Sequence, residues 1–373
     1  MKHGPQQPAF FGARAGAILV LAFLFGGCGR APEETVTREF PGMGTTGSLM
    51  VPAADAGRAR GWAAKSLATV ADLESRLSVF KPDSDLSRVN AAAGGDGVAV
   101  SADTLALIQA ALAIHRESGG AFDLTVGPLM AAWGFRGKTP PARSPSAGEI
   151  AAAMQAVGAD HVAITGAMVR LDRPGVRLDA GGIGKGLAVD RCWESLRASD
   201  ARCFLINLGG NMRASGRPVS TRPWSVGVRN PFQKEKLLGT LRLADGMAVA
   251  TSGHYERFVT VEGVRYAHIM DPRSGRPVRG MAGVTVLART AMEADALSTA
   301  LFVLGPDAGF AMLCRSGRWA EAVFVPDRQP LEAWVTPGLM AWFEPVPGLT
   351  IRELNSDRHP EAASDPARPP GPG

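Results

Sequence analysis

Cysteine is scarce in this sequence, and the four cysteines are not spaced for a metal or redox site. No C-x-x-C pair or zinc-type spacing occurs, which excludes the redox and zinc-binding motifs that depend on such spacing. Cys192, Cys203 and Cys314 remain if Cys28 is modified as argued below, and an odd number cannot all pair within one chain. We interpret Cys192, on a predicted helix face, and Cys203, in an apolar segment, as small core residues.

A strong charge of either sign is also lacking. The 40 Lys and Arg residues stand against 35 Asp and Glu residues, which gives a formal net charge of +5. This excess is too small, and the basic and aromatic residues are too scattered, for a nucleic-acid surface, so we exclude nucleic acid as a partner. With 46% hydrophobic and 20% charged residues, the chain can bury a large core.

The apolar run near the N-terminus is shorter than the roughly 20 residues that a membrane-spanning helix needs. It extends from Ala15 to Phe25, follows the basic residues Lys2 and Arg14, and leads through two glycines to Cys28. This pattern resembles a bacterial lipoprotein signal, in which the cysteine is lipidated and becomes the mature N-terminus. The alternative is a plain secretory signal with an incidental cysteine.

The lipoprotein interpretation divides the N-terminal region into two parts. Residues 1–27 are predicted to be a removed signal peptide, and residues 28–39 a tether behind a lipid anchor on Cys28. Gly29 follows the cysteine where an aspartate would favour the inner membrane, so the outer membrane is favoured. We therefore expect a membrane lipoprotein that faces the bacterial periplasm.

Helical and strand periods both occur along the rest of the chain, which predicts a mixed α+β fold. Helical spacing extends from Ala56 to Ser75 and again from Ser101, a suitable N-cap, to Gly119. Strands prevail from Asp160 onward, with hairpin turns predicted at Asp245-Gly246 and at Glu262-Gly263.

These elements are assigned to one catalytic domain over residues 40–350, with mainly antiparallel strands and packed helices. A Pro-rich tail at residues 351–373 is predicted to be disordered.

The stretch from Leu178 to Asp190 contains a glycine-rich bend between a predicted strand, Val176–Ala180, and a predicted helix. Glycines let the backbone approach an anion closely, and the free N–H groups at a helix start favour negative charge. Asp179 and Lys185 flank the bend, but the spacing matches neither the P-loop nor the G-x-G-x-x-G fingerprint. The alternatives are a phosphate-binding bend and an ordinary strand-to-helix connection with a surface lysine.

A helix predicted from Met292 to Leu304 has the clearest boundaries in the sequence. A capping box begins at Thr290, and Gly305-Pro306 supplies a stop signal. Asp295 and Thr299 lie four residues apart, so their oxygens share one face and could supply two hard ligands to magnesium. The alternative is that both side chains are solvated or bonded to the helix backbone.

Eight short motifs occur in a fixed order, and their conjunction is far more specific than any one of them. They are Met43-Gly44-Thr45; Phe80-Lys81-Pro82-Asp83-Ser84-Asp85-Leu86-Ser87; Gly120-Ala121-Phe122-Asp123 with Val126-Gly127-Pro128-Leu129; Leu178 to Asp190; Asn207-Leu208-Gly209-Gly210-Asn211; Thr251-Ser252-Gly253; His268-Ile269-Met270-Asp271-Pro272-Arg273-Ser274-Gly275; and Ala294-Asp295-Ala296-Leu297-Ser298-Thr299-Ala300. From about Phe40 to Gly305 the chain therefore resembles the ApbE family, the FAD:protein FMN transferases once called thiamine-biosynthesis lipoproteins. The resemblance implies an ApbE-like, T-fold-related architecture.

The resemblance also implies a magnesium-dependent enzyme that transfers FMN from FAD to a Thr or Ser hydroxyl of a partner protein and releases AMP. The acceptor would be a flavoprotein subunit of a membrane or periplasmic redox system. By position in the motifs, Mg²⁺ would be held by Asp295, Thr299 and the backbone carbonyl of Gly182. The residues implied to line the flavin nucleotide are Met43, Phe80, Ala121, Phe122, Asp123, Asp179, Lys185 and Ile269.

The attacking hydroxyl needs a proton acceptor, and His268 is our predicted catalytic base. The alternative is a histidine that is merely satisfied at a strand end. His254 stands where the family often has a short polar or acidic residue, so a second imidazole could share the role. Phe80 stands where Tyr or Trp often occurs, and it keeps the ring but loses the polar tip.

Two other functions are compatible with the same residues. One is a magnesium-dependent FAD pyrophosphatase that makes FMN and AMP, and the other is a lipoprotein that binds FAD without chemistry. Intact metal ligands argue against pure storage, whereas transfer and hydrolysis are separated only by assay.

Overall fold

The computed structural model describes residues 34–136, 143–219, 222–256 and 258–355. The predicted signal peptide, Cys28 and residues 356–373 of the predicted tail lie outside the described residues. The described part is α+β, with a large, mainly antiparallel sheet and packed helices, as the sequence predicts.

The strands form one large sheet and four small ones within the described residues. Numbered along the chain, they are β1 (Thr35–Gly42), β2 (Thr45–Pro52), β3 (Val98–Ala99), β4 (Val162–Thr165), β5 (Met168–Leu171), β6 (Phe204–Leu208), β7 (Asn211–Ser215), β8 (Trp224–Arg229), β9 (Leu237–Leu243), β10 (Ala248–Gly253), β11 (Phe258–Val261), β12 (Val264–Ala267), β13 (Met270–Asp271), β14 (Arg276–Pro277), β15 (Met281–Ala288), β16 (Ala320–Pro326), β17 (Glu332–Val335), β18 (Phe343–Pro345) and β19 (Thr350–Glu353). The large sheet has the order β1-β2-β6-β7-β10-β15-β16-β17-β19, and its neighbours are antiparallel except for the pair β17 and β19.

The helices are distributed along the whole domain, and the longest lie on the large sheet. They are α1 (Ala56–Leu77), α2 (Asp85–Ala91), α3 (Ala102–Glu117), α4 (Gly127–Ala132), α5 (Ala147–Met154), α6 (Gly184–Arg197) and α7 (Ala291–Ser316), with short 3₁₀ turns at Ala53–Asp55, Ala159–His161 and Leu339–Ala341. The predicted N-cap at Ser101 is confirmed, because its side chain accepts the N–H of Thr104.

The large sheet has a core on each face, as the alternation of side chains along β6 illustrates. Ile206 packs in the core that holds Leu196 of α6, whereas the next residue back, Leu205, packs on the other face with Leu241 of β9. Successive side chains of a strand point to opposite faces, so one apolar strand serves both cores. Helices α1, α6 and α7 cover the first face, and the small sheet β18-β9-β8 covers the second.

Helix α7 is the one helix of the described residues that is long and apolar enough to cross a membrane, but more than half of that stretch is buried inside the protein. Its buried side chains, among them Leu297 and Leu301, pack in the core, so we assign α7 as a core helix. Gly305 breaks the helical conformation with φ 74°, as its position before Pro306 predicts. The helical segment resumes at once and extends to Ser316, which the sequence did not predict.

Two local predictions are wrong. Residues Val176–Ala180 form no strand; among the described residues they make one isolated bridge, from Arg177 to Val126, beside the bond from the Asp179 N–H to the Leu124 carbonyl. The turn at Asp245-Gly246 does not join a hairpin, because β9 pairs with β8 while β10 pairs with β7 and β15. The chain changes sheets there.

Regular secondary structure extends a few residues beyond both ends of the predicted domain of residues 40–350. Strand β1 begins at Thr35, inside the predicted tether of residues 28–39, because it pairs with β2 along its whole length. Strand β19 continues to Glu353, inside the predicted tail, because it pairs with β17. The hairpin predicted at Glu262-Gly263 is confirmed, with β11 and β12 on either side.

Candidate active site

Three turns of the chain lie at the same end of the large sheet. The β1–β2 turn contains Met43, and Gly47 of β2 pairs with Leu208 at the end of β6, where Gly209 begins the next turn. Strand β10 pairs with β7 and ends at Gly253 on this side of the sheet. Motifs far apart in sequence are therefore brought to one edge.

Helix α7 crosses this region and is joined to β10 by hydroxyl groups. The Oγ atoms of Ser252 and Ser298 are 2.8 Å apart, and Ser252 Oγ is 3.4 Å from Oγ1 of Thr299. Thr299 also donates to the carbonyl of Asp295 at 3.3 Å, so the residue predicted to bind metal bonds to its own helix as well.

Asp295 is a buried carboxylate in this region, with only 5% of its surface exposed. Its Oδ2 accepts the backbone N–H of Gly186 at 2.9 Å, and its Oδ1 lies 3.6 Å from Nζ of Lys185. Lys185 also donates to the carbonyl of Gly181 at 3.4 Å. The glycine-rich bend and α7, predicted separately, thus meet at one carboxylate.

Gly182 lies directly against Thr299. A Cβ on Gly182 would be 3.0 Å from Oγ1 of Thr299 and 3.3 Å from Cε2 of Phe122, closer than side chains normally pack. The absence of a side chain therefore brings the backbone of the bend next to the hydroxyl of α7.

These donors fit a hard divalent cation. A carboxylate, a hydroxyl and a backbone carbonyl are oxygen ligands of the kind that Mg²⁺ accepts while it keeps positions for water and phosphate. Gly182 of the bend lies close to Thr299 of α7. Oxygen ligands from these two elements must be this close together to bind one ion. No three His, Cys, Asp or Glu side chains are grouped to hold a metal within the described residues, so the set differs from a zinc-type site.

The segment from Ala121 to Asp123 is buried beside the bend. Oδ1 of Asp123 accepts the N–H and the hydroxyl of Thr125 at 2.7 and 2.6 Å, and its Oδ2 lies 3.2 Å from Nδ1 of His115. The hydrogen bond to Asp123 raises the pKa of His115 above its ordinary value, although burial opposes the shift. The carboxylate thus holds the loop that places Phe122 against Gly182.

Asp179 links the bend to an exposed aromatic ring. One of its oxygens accepts the N–H of Gly181 at 2.9 Å, and the other forms an ion pair with Arg136. The guanidinium of Arg136 lies 5.1 Å from the centre of the Phe80 ring, and Phe80 is 70% exposed. A large exposed ring beside a paired Asp and Arg is available to stack on a planar ligand.

The chain matches a known protein family. The family model described as the ApbE family matches residues 43–324. This chain belongs to the ApbE family. It is 29% identical over 333 residues to an FAD:protein FMN transferase of Escherichia coli (strain K12), covering 86% of this chain and 95% of that protein. It is 37% identical over 258 residues to one of Klebsiella pneumoniae (strain 342), covering 68% and 78%.

Solved structures of the ApbE family have the same fold. The flavin transferase ApbE from Vibrio cholerae superposes with a TM-score of 0.74 at 28% identity, covering 83% of this chain and 100% of that chain. The apo form of the Pseudomonas stutzeri flavinyl transferase ApbE gives 0.73 at 32% identity, covering 83% and 97%.

Met43, another residue implied by the ApbE family resemblance, occupies a tight turn. Met43 and Gly44 have φ values of 48° and 70°, as a two-residue hairpin turn requires. The Met43 N–H donates to Oε2 of Glu74 at 3.3 Å, and the turn forms one wall of an open pocket of about 400 Å³ with Leu67, Ala71 and Glu74 of α1. Met43 thus lies at the same end of the large sheet as the β6–β7 turn. Its backbone N–H bonds to Glu74 of α1.

The two histidines proposed as bases lie on either side of the β11–β12 hairpin. His268 is half-buried and precedes Ile269, which packs in the same core as Leu297 of α7. Nε2 of His254 is 3.7 Å from Oδ1 of Asp327, and its Nδ1 is buried without a hydrogen-bond partner among the described residues. Burial lowers the pKa of His254, and Asp327 opposes that shift. The role of His268 in this ApbE family member stays a prediction.

Two residues that shape this ApbE family site were missed by sequence reasoning. Arg136 borders a Pro/Gly-rich loop, and nothing local indicates that it pairs with Asp179. Asp190 accepts backbone N–H groups from the start of α7. Its position four residues after Gly186, on the buried face of a predicted helix, is the signal that could have identified it, since a buried acid requires a partner.

Proposed function

We propose that this protein transfers FMN from FAD to a hydroxyl group of an acceptor protein; the relatives it matches are named FAD:protein FMN transferases. The observation that carries the proposal is the meeting of the glycine-rich bend with Asp295 and Thr299 of α7. A magnesium-dependent reaction at a pyrophosphate needs groups of the kind found here: a buried carboxylate, a hydroxyl, a backbone carbonyl and a lysine.

In the proposed reaction, the oxygen of the acceptor Thr or Ser bonds to the phosphorus of the FMN half of FAD. The phosphorus–oxygen bond to the AMP half breaks, and AMP leaves with the electron pair of that bond. The hydroxyl proton passes to a base, which we assign to His268. Because the chemistry is a substitution at phosphorus, the protein mainly has to position the reactants and balance charge.

Asp295, Thr299 and the carbonyl of Gly182 are the groups proposed to hold Mg²⁺. When bound, the ion supplies positive charge close to the phosphate oxygens on which negative charge develops. Lys185, 3.6 Å from Asp295, is placed to add a second positive charge on the substrate side of the bend. The ring of Phe122 lies close to Gly182 and is proposed to limit the access of water at this point of the site.

Phe80, Arg136 and Asp179 are proposed to bind the flavin nucleotide. The exposed ring of Phe80 can stack on a planar ring system, and the ion pair with Asp179 fixes the guanidinium that lies over it. Ala121, Phe122, Asp123, Met43 and Ile269 are proposed to complete the walls of the nucleotide site.

The experiment that tests the function incubates the purified protein with FAD, Mg²⁺ and soluble domains of candidate redox-subunit acceptors. Transfer predicts flavin fluorescence on the acceptor band of a denaturing gel and an equal amount of AMP. AMP without a labelled acceptor would favour the pyrophosphatase, and FAD binding without AMP would favour storage. The Asp295→Asn variant serves as the negative control.

We further propose that the protein acts from the periplasmic face of a membrane, with the outer membrane favoured, through a lipid on Cys28, on a membrane or periplasmic acceptor. The support is the short apolar run from Ala15 to Phe25 that leads into Cys28. Cell fractionation tests this proposal. Wild-type protein is expected as a processed form in the membrane fraction, and the Cys28→Ser variant either as a soluble form or as an unprocessed precursor. A Cys28→Ser variant that is both processed and distributed like the wild type would contradict the lipid anchor.

A further inference from the structure

Helices α6 and α7 are joined by reciprocal bonds between side chains and backbone. Oδ2 of Asp295, on α7, accepts the N–H of Gly186 in the first turn of α6 at 2.9 Å. In return, the carboxylate of Asp190, on α6, accepts the N–H groups of Ala291 and Met292 in the first turn of α7, at 2.8 and 2.9 Å. Each helix therefore begins on a carboxylate that the other helix supplies.

The spacing of these residues is the same on both helices. Gly186 and Asp190 are four residues apart, as are Ala291 and Asp295, so each pair lies on one helix face. A Cβ on Gly186 would be 2.3 Å from the carbonyl oxygen of Ala291, so the helices touch at their backbones. A shift of one helix that disturbs the bond at Gly186 therefore also disturbs the bonds at Ala291 and Met292, and the reverse holds as well.

The first N–H groups of α7 divide into two kinds. The N–H of Glu293 is capped from within α7 by Thr290 Oγ1 at 3.2 Å, whereas those of Ala291 and Met292 depend on α6. Only the second kind fixes α7 relative to α6. This contrast separates the stability of the helix end from the position of the helix.

Asp190 itself is held and has no access to a ligand. It is 5% exposed, and Nη1 of Arg213 donates to its Oδ1 at 2.9 Å. The Arg213 guanidinium lies 4.0 Å from the centre of the Trp193 ring and donates to the Gly246 carbonyl at 3.0 Å. The carboxylate is thus oriented by Arg213 of β7, which in turn packs on Trp193 of α6.

We propose that Asp190 is a positioning residue for the magnesium site, which holds Asp295 and Thr299 in register with Gly182 by fixing the start of α7 to α6. The inference rests on the proposed function, because it concerns the ion assigned there. Mutation of a group that orients metal ligands without touching the metal typically lowers metal affinity by about 10- to 100-fold.

The test titrates the purified, full-length protein with Mn²⁺, a hard cation that replaces Mg²⁺, and follows free Mn²⁺ by its electron paramagnetic resonance signal. Asp190→Asn keeps one oxygen acceptor but places an amide N–H₂ among backbone donors. We expect Mn²⁺ affinity to fall about 10- to 100-fold, with turnover recovering at high Mg²⁺. Thr290→Ala is the matched control, since it removes a cap from the same helix end but leaves the link to α6.

The outcomes separate the two proposals. If the wild type fails to bind Mn²⁺, the metal assignment in the proposed function is wrong and this inference falls with it. If the wild type binds and Asp190→Asn binds equally well, the positioning role alone is wrong. Equal losses of affinity in Asp190→Asn and Thr290→Ala would also overturn it, because generic loosening of the helix end would then suffice.

A milder variant covers the case in which Asp190→Asn does not fold. Arg213→Lys keeps a positive charge beside Asp190 but loses the planar guanidinium that orients Oδ1. We expect a smaller loss of Mn²⁺ affinity than in Asp190→Asn, again with turnover recovering at high Mg²⁺. Unchanged affinity in folded Arg213→Lys, measured beside Thr290→Ala, would overturn the proposal.

Discussion

Gly182 lies so close to Thr299 that a methyl group on the glycine would be crowded, because its Cβ would be 3.0 Å from Oγ1 of Thr299. The contact joins two motifs that are more than a hundred residues apart. It brings a backbone that can offer a carbonyl to the hydroxyl of α7 and the buried carboxylate of Asp295.

Gly182→Ala is predicted to reduce transfer by about tenfold, less than the roughly 100-fold that a displacement of about 1 Å in a positioned group can cause, because the crowded neighbour has to move only a few tenths of an ångström. The added methyl must push Thr299 or Phe122 away. Steady-state kinetics at several Mg²⁺ concentrations measure the loss. Gly184→Ala is the matched control, since its Cβ meets only the Ala180 methyl at 3.4 Å. Equal activities of the two variants would contradict the assigned role of Gly182.

Asp295→Asn is predicted to lower turnover about 100-fold or more, because a bound metal supplies several kcal/mol of charge stabilisation. The amide oxygen of Asn can still accept the Gly186 N–H that Asp295 now accepts. The melting temperature should therefore change little while Mn²⁺ binding is lost. Normal turnover at low Mg²⁺ would disprove the metal assignment, and a large drop in Tm would show that the carboxylate acts mainly in folding.

Phe80→Ala is predicted to weaken FAD binding roughly two- to tenfold, the scale of an aromatic stacking contact. The ring is 70% exposed, so its loss should change the free energy of unfolding by no more than about 0.5 kcal/mol. Quenching of flavin fluorescence on titration measures the affinity. Phe80→Tyr keeps the ring and should bind FAD as well as the wild type; a similar loss in both variants would argue against stacking.

Sequence patterns predicted those features that depend on neighbours along the chain. Thr290 was identified as an N-cap because the capped N–H lies three residues away, and it accepts that N–H. The sequence predicts Asp295 and Thr299 as two ligands of one site because a helix puts residues four apart on one face. The helix break at Gly305 also follows from local conformation, since that residue has φ 74°.

Features that depend on distant residues were missed or misread. The segment at Arg177 is predicted to be a strand, but within the described part of the chain it makes a single bridge, to Val126, whose position no local pattern specifies. The pairing of Arg136 with Asp179 and the reciprocal bonds of Asp190 arise only when two elements cross. Apolar periodicity predicts which face of a helix is buried but does not identify the opposing element.

His115→Gln is predicted to destabilise the protein more at low pH than at high pH. The hydrogen bond to Asp123 raises the pKa of His115 above 6.5, so its contribution is fully present below that value and is lost as pH rises through the raised pKa. Thermal unfolding at about pH 5.5 and about pH 9 should give a larger Tm difference from wild type at the lower pH. An equal difference at both pH values would show that the bond does not depend on protonation.

His268→Gln is predicted to lower kcat by about 100- to 10,000-fold, the range for loss of a positioned general base, while Mn²⁺ affinity stays unchanged. His254 is the competing candidate, because burial lowers its pKa and so favours a neutral imidazole that can accept a proton. Its Nε2 nevertheless lies 3.7 Å from Asp327, which turns that nitrogen towards the protein. We therefore expect His254→Gln to retain most of the activity. If His254→Gln instead lost the acidic limb of the pH–rate profile and His268→Gln kept it, the base would be His254.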